Sequence, residues 1–326
     1  MKALIIALTL FTTFMVTAQG DGPRNLTWGP KGVTALIPKW MSLNQNISPG
    51  NILVKNAEFK IDVFPITLVH NFNIGGHFAQ IMLNAVPGSA TGNGNFSDIQ
   101  GLPASIPSHV ETSGFSDGFI GFKFGIVNAP ALNVMEFAKH KQSFSMFLYT
   151  RLWYSGTYDE KKPLNLGTNR MSLDIGPVVN MQFSDNPKRS TLLESYAALH
   201  LYGTNNSPSL GTSTTPPSFY ADETKQLPSF SWENHFSHNF TDKLWGAATL
   251  RYQYGGALKV DGVKQDNNMN ILGWGVTAGY QVLPMLALHT GYGGILAGDN
   301  GAKSDMFRLV AVFSYVNMKK VKAQQN

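Results

Sequence analysis

The sequence predicts an all-β protein: a transmembrane antiparallel β-barrel of about twelve strands, with short periplasmic turns and long extracellular loops. Three observations lead there. Long segments alternate apolar and polar residues with period two, as a strand with two different faces must. The connections between them alternate short and long, the asymmetry of outer-membrane barrels. The chain opens on an export signal and later offers no apolar run long enough to span a bilayer as a helix.

Residues 229–254 show the pattern most clearly. Phe230, Trp232 and Phe236 alternate with Ser231, Glu233 and His235, then Leu244, Ala248, Leu250 and Tyr252 alternate with Trp245, Thr249, Arg251 and Gln253. Each run is about a dozen residues, enough for the roughly 9–11 that a tilted strand needs to cross a bilayer. The polar stretch 239–243 joins them as a short turn. A hairpin in a large soluble sandwich would show the same alternation, so the rest of the chain has to decide.

Residues 1–18 carry one Lys, an apolar run, and the small residues Val16 and Ala18 before Gln19, which reads as a cleaved signal peptide. The barrel is then assigned to 19–316 and a basic tail, with Lys319, Lys320 and Lys322, to 317–326. Strands are expected at 33–43, 58–70, 77–86, 115–127, 143–154, 170–183, 191–202, 229–238, 244–254, 270–281, 286–296 and 305–316. Pro65 removes a ladder donor and should distort the second of these. Short turns fall at 71–76, 184–190, 239–243 and 282–284. Loops fall at 44–56, 87–113, 205–226 and 255–268, and 128–142 holds a candidate helical turn at 135–139.

Composition agrees. Of 326 residues, 43% are hydrophobic and only 14% charged, which suits a chain whose lipid-facing side chains are diluted by lumen-facing ones. With no Cys there is neither a disulfide framework nor a Cys-based zinc site. The net charge of +5 is modest and no dense basic run interrupts the barrel region, so no nucleic-acid partner is expected. No metal spacing such as HExxH and no phosphate-binding Gly loop is present, so no cofactor or metal is expected.

The polar faces of the strands nominate a lumen-lining set: Lys60, Asp62, Lys123, Arg151, Asp174, Glu194, Glu233, Arg251 and Arg308. Both signs occur, and unpaired charge in a confined space is costly, so these groups should pair across the interior. Two readings stay open: a structural network that fills the barrel, or a polar lining that guides a solute. Glu233 and Arg251 lie on neighbouring strands and are expected to pair directly or through another lumen residue. Tyr149, Trp153, Tyr196, Tyr202, Trp245 and Tyr254 are expected mainly as interface anchors, with a hydrophobic solute path as the other reading. His235-Phe236-Ser237 is the one catalytic-looking pattern, but nucleophilic catalysis needs an orienting group and an oxyanion donor that the sequence does not supply.

Particular stretches also resemble a known family. Gly114-Phe115-Ser116-Asp117-Gly118, Ala129-Pro130-Ala131-Leu132, and above all Leu164-Asn165-Leu166-Gly167-Thr168-Asn169-Arg170 are similar to the bacterial outer-membrane family named for a meta-pathway of phenol degradation. The stretch 250–267 resembles it too. The resemblance implies an outer-membrane location and a passive path for small hydrophobic or aromatic compounds, with the lipid bilayer and lipopolysaccharide as surroundings. Family members usually end on an aromatic residue, whereas here a basic tail follows Tyr315. The other function classes weighed are a structural or adhesive barrel acting through its long loops, and a lipid-hydrolysing barrel acting through His235 and Ser237.

Overall fold

The computed structural model describes residues 20–54, 57–94, 109–141, 143–184, 189–208 and 221–316. The expected signal peptide and basic tail lie outside these residues. The described chain is a closed antiparallel barrel. Its strands are β1 (Val33–Gln45), β2 (Ala57–Val63), β3 (Ile66–Ile74), β4 (His77–Gly94), β5 (His109–Val127), β6 (Phe144–Tyr154), β7 (Ser172–Gln182), β8 (Thr191–Tyr202), β11 (Ser229–Asn239), β12 (Leu244–Gly255), β15 (Met269–Leu283), β16 (Leu286–Gly298) and β17 (Ser304–Val316). Four shorter strands, β9 (Thr204–Asn205), β10 (Thr224–Gln226), β13 (Leu258–Val260) and β14 (Val263–Lys264), form a separate sheet among the loops.

β2 and β3 are two halves of one stave. β1 pairs with β2 through Met41–Gln45 and with β3 through Thr34–Pro38, and β4 pairs with both halves. The ring therefore has twelve staves, closed where β1 meets β17 from Val33↔Val316 to Gln45↔Ser304. The interruption falls at Phe64–Pro65, where the sequence predicted a distortion. Proline offers no N–H there, but its carbonyl accepts from the Lys39 N–H at 2.8 Å, and the Phe64 N–H reaches the Pro87 carbonyl at 2.8 Å. The stave stays attached on both sides.

The outer surface carries Leu36, Leu68, Leu83, Ile120, Leu250 and Leu309, all exposed. In water such a belt would be unstable; against lipid it is the expected face of a barrel. At one end the connections are tight turns, such as Gly75–Gly76 between β3 and β4 and the two residues between β15 and β16. The exception there is 128–143, which holds helix α1 (Val134–Lys139). Asn133 caps it, its side chain accepting from the Met135 and Glu136 N–H groups while Glu136 reaches back to the Asn133 N–H.

The long connections gather at the other end, the extracellular one in barrels of this type. Here the strands run further than expected. Residues 87–94 and 109–113, read as loop from their Gly, Ser and Pro content, are paired as parts of β4 and β5. They extend above the lipid belt, where neither face needs an apolar side chain, so no alternation announces them.

A charged plug beside an apolar cavity

Residues 20–32 enter the barrel, with residues 20 and 21 in mid-lumen and Trp28 near the short-turn end. This segment has no regular structure, so its backbone groups need partners elsewhere. Side chains of the wall supply them. Glu194 accepts from the Arg24 and Leu26 N–H groups at 2.7 and 3.1 Å. Glu233 accepts from Gly22 at 3.1 Å and Asp21 at 3.3 Å. Lys123 donates to the Leu26 and Thr27 carbonyls at 3.3 and 2.7 Å, and Arg308 donates to the Asp21 carbonyl at 3.4 Å. Gly22, at φ +85°, takes a left-handed backbone that favours glycine, and a Cβ on it would also displace the Arg308 guanidinium, 1.9 Å away; one on Gly20 would displace the Glu233 carboxylate, 1.8 Å away. At the foot of the segment Trp28 packs edge-on against Phe78 and Phe137, with ring centroids 5.9 and 5.0 Å away.

Ion pairs complete the plug. Arg151 holds Asp21 at 2.6 Å and Asp174 at 3.0 Å. Asp174 also meets His200 at 2.5 Å and accepts from the Trp153 indole at 2.7 Å. The Arg151 guanidinium lies 5.2–5.6 Å from the ring centroids of Phe119, Tyr149, Trp153 and Tyr196, a cage that suits a delocalised cation.

Seven of the eight side chains nominated as lumen lining, leaving Lys60 aside, point inward: Lys123, Arg151, Asp174, Glu194, Glu233, Arg251 and Arg308. Asp62 does not, nor does Lys60. On β2 it is Phe59, Ile61 and Val63 that are buried inside, while Glu58 and Lys60 are exposed and Asp62 is half-buried on the outer face. β2 stands above the lipid belt, where the outside is aqueous and the inside is packed with loop residues, so the polar-inside rule reverses. The aromatic expectation is corrected as well. Tyr149, Tyr196 and Trp245 are buried inside with Trp153, and Tyr202 donates to or accepts from Ser229 within the mouth; of the six, Tyr254 alone is on the outer face. Cations inside the barrel give the rings a partner: wall residue Arg151 for Tyr149, Trp153 and Tyr196, and plug residue Arg24, 4.2 Å above the Trp245 ring.

Glu233 and Arg251 are register partners, but their ion pair is long at 3.8 Å. The shorter partner of Glu233 is His235 Nε2 at 2.6 Å, while His235 Nδ1 meets the Thr249 hydroxyl at 2.8 Å. Both ring nitrogens are thus engaged away from Ser237, and no Ser–His pair is assembled. Among the described residues no group of three His, Asp or Glu side chains is placed to hold a metal ion.

The plug leans mainly on the wall of β6 to β17 and leaves a cavity of about 630 Å³, lined chiefly by β1 to β5 and also by Trp245, Ala287, His289 and Val312. Ile37, Met41, Val63, Val69, Met82 and Phe119 line it. The cavity runs from Pro65 and Asp117 down to the short turn at 241–243. Above it the loops close the mouth. Leu164 and Leu166 pack against Phe59, Ile61, Val63 and Val110, and Asp117 ties the same loop by accepting from Thr168 N–H at 2.9 Å and Gly156 N–H at 3.0 Å. Arg170 donates to Gln226 and stacks over Tyr202 at 4.9 Å, and Gln226 donates in turn to the Asn51 and Gly256 carbonyls. Burial lowers the Arg170 guanidinium from its ordinary value, and Tyr202 and Asp117 offset part of that.

Residues 53–309 match the model of the family described as "Putative MetA-pathway of phenol degradation". The chain belongs to this family. Its barrel is similar to an outer membrane channel from Pseudomonas putida F1, with TM-score 0.67 and 19% identity over 90% of this chain and 99% of that one. The family member is also similar to the TodX monoaromatic hydrocarbon channel (TM-score 0.47, 11% identity, 90% and 91% covered) and to the β domain of the Bordetella autotransporter BrkA (0.48, 8%, 87% and 100%). Only the first of these is strong enough to show a shared fold. No curated protein matches the chain.

The plug is what sequence reasoning missed. Asp21, Arg24 and Trp28 sit in a coil without periodicity, and no pattern marks a coil that turns inward. The one available signal was the local excess of Gly and Pro from Gly20 to Pro30 around a lone Trp.

Proposed function

We propose that the protein is a passive outer-membrane channel for small hydrophobic compounds, aromatic ones among them, exported through a cleaved signal peptide. The observation that carries this reading is the cavity between plug and wall. Its volume of about 630 Å³ falls within the roughly 300–1,000 Å³ of ligand sites, and its barrel side offers an apolar patch of Ile37, Met41, Val63, Val69, Met82 and Phe119 among polar groups such as Gln80 and Asn84. It reaches the short-turn end, where a solute would leave toward the periplasm. The charged plug fills the other half of the lumen, so no wide aqueous path is left for ions or sugars. A lipopolysaccharide leaflet is a poor solvent for apolar molecules, and an apolar path through a barrel bypasses it.

Cells carrying the protein in a lipopolysaccharide outer membrane should take up labelled toluene several-fold faster than cells lacking it, with no gain in sucrose uptake. Equal toluene rates would reject the channel. The engagement of both His235 nitrogens away from Ser237 argues against a lipid hydrolase, and the same purified protein should release no fatty acid from phospholipid vesicles.

A further inference from the structure

Among the described residues, the charged side chains of the midsection are tied to partners with one exception. Arg151, Asp21, Asp174, Glu194, Glu233, Lys123 and Arg308 are accounted for by the contacts above. The neutral polar groups of the cavity wall also satisfy one another: Gln80 donates to Asn71 at 2.8 Å and Asn84 to Thr67 at 2.9 Å. Lys39, on the inner face of β1, lines the same cavity, yet its ammonium has neither a hydrogen bond nor an ion pair among the described residues. Its inward-facing neighbours along the strand are Ile37 and Met41, and its backbone N–H is held by the Pro65 carbonyl across the strand break.

Charge across the midsection points the same way. Arg24, Lys39, Lys123, Arg151, Arg251 and Arg308 face four carboxylates, Asp21, Asp174, Glu194 and Glu233. Positive charge is in excess among these groups, and Asp21, which lines the same cavity, is already spent on Arg151. A half-buried cation without a partner is costly, and an anion brought by a ligand would relieve it.

We infer that Lys39 is the head-group site of a ligand subsite in this cavity, and that the ligand class is a small amphipathic anion, an aromatic or aliphatic carboxylate, whose apolar body lies against Ile37, Met41, Val63, Met82 and Phe119. The inference rests on the channel reading and narrows its substrate class. It assigns Lys39 recognition of charge and assigns the β1 to β5 wall recognition of the hydrocarbon.

Cinnamate and cinnamyl alcohol test it, because they share a body and differ in the head. Calorimetric titration of the purified protein in detergent should show cinnamate binding about ten-fold tighter than the alcohol, the scale of one charge-assisted hydrogen bond. Lys39→Met should collapse that preference to two-fold or less, and Lys39→Arg should keep most of it. Heat-modifiable gel migration of both variants establishes that each is folded. Wild-type protein without a preference for cinnamate would overturn the inference, as would a folded Lys39→Met variant that keeps the ten-fold preference. Binding of the alcohol without preference leaves the hydrophobic channel standing and removes only Lys39 from it. If neither compound binds and toluene uptake is also absent, both readings fall together.

Discussion

The two halves of the barrel wall solve different problems. From β6 to β17 the inner face presents Arg151, Asp174, Glu194, Glu233, Arg251 and Arg308, and the N-terminal segment is bound there by hydrogen bonds and ion pairs. From β1 to β5 it presents apolar side chains interleaved with Thr67, Asn71, Gln80 and Asn84, and beyond the seats of Leu26, Thr27 and Trp28 on Lys123 and Phe78 the segment leaves them uncovered over the cavity. Directional contacts fix a coil that has no ladder of its own; non-directional contacts accept any apolar body that fits. The comparison teaches why a chain would gather most of its inward charges on one side, leaving Lys39, Asp117 and Lys123 on the other. Charges spread round the whole lumen would have filled it with a network, and charges absent altogether would have left nothing to hold the plug.

Removing one charge from the charged half should have the largest effect. Glu233 serves His235, Arg251 and two plug N–H groups at once. Glu233→Ala strands those partners in a buried site, and about 3–5 kcal/mol of stability should be lost, read as a lower urea midpoint for the folded gel band. Glu233→Gln keeps acceptors for the two N–H groups and should lose less. If the two variants behave alike, charge is not what holds the plug. Truncating the apolar half should do less and do something different. Met82→Ala should cost about 2 kcal/mol, the lower end for a buried methionine, because one side of it already borders empty space. The same variant enlarges the cavity, so toluene uptake should rise rather than fall; a fall would mean that this wall is structural packing and not a path. The smallest effect is expected at Asp62. On the outer face above the lipid belt, Asp62→Asn should change stability by no more than about 0.5 kcal/mol, and a loss comparable to that of Glu233→Ala would return Asp62 to the lumen.

Most of the barrel was legible because period-two alternation is a physical consequence of having lipid on one side. Where lipid is present the inference holds residue by residue: Arg251 is inside and Leu250 outside, as their alternation requires. Where lipid ends the inference ends too. Lys60 and Asp62 alternate with Phe59 and Ile61, a pattern that points to the lumen, but above the belt the apolar face is the inner one. Residues 87–94 read as loop for the same reason, being strand with no lipid to satisfy. Lys39 escaped notice because β1 places a single cation among apolar inner residues, and a lone charge sets no pattern.

The plug also constrains the order in which the molecule can be assembled. Residues 20–32 run without a break into β1, and β1 is one lip of the seam that closes the cylinder against β17. Once that seam is zipped, a coil carrying Arg24 and Trp28 would have to be threaded into a lumen whose far mouth is capped by loops. Assembly is simplest if the first strand waits, the segment before it already seated on Glu194, Glu233 and Lys123, until the last strand arrives. During refolding, protease protection of the 20–32 segment should appear no later than the heat-modifiable band that reports a closed barrel, and a closed band that precedes it would show that the cylinder can be filled after it is shut.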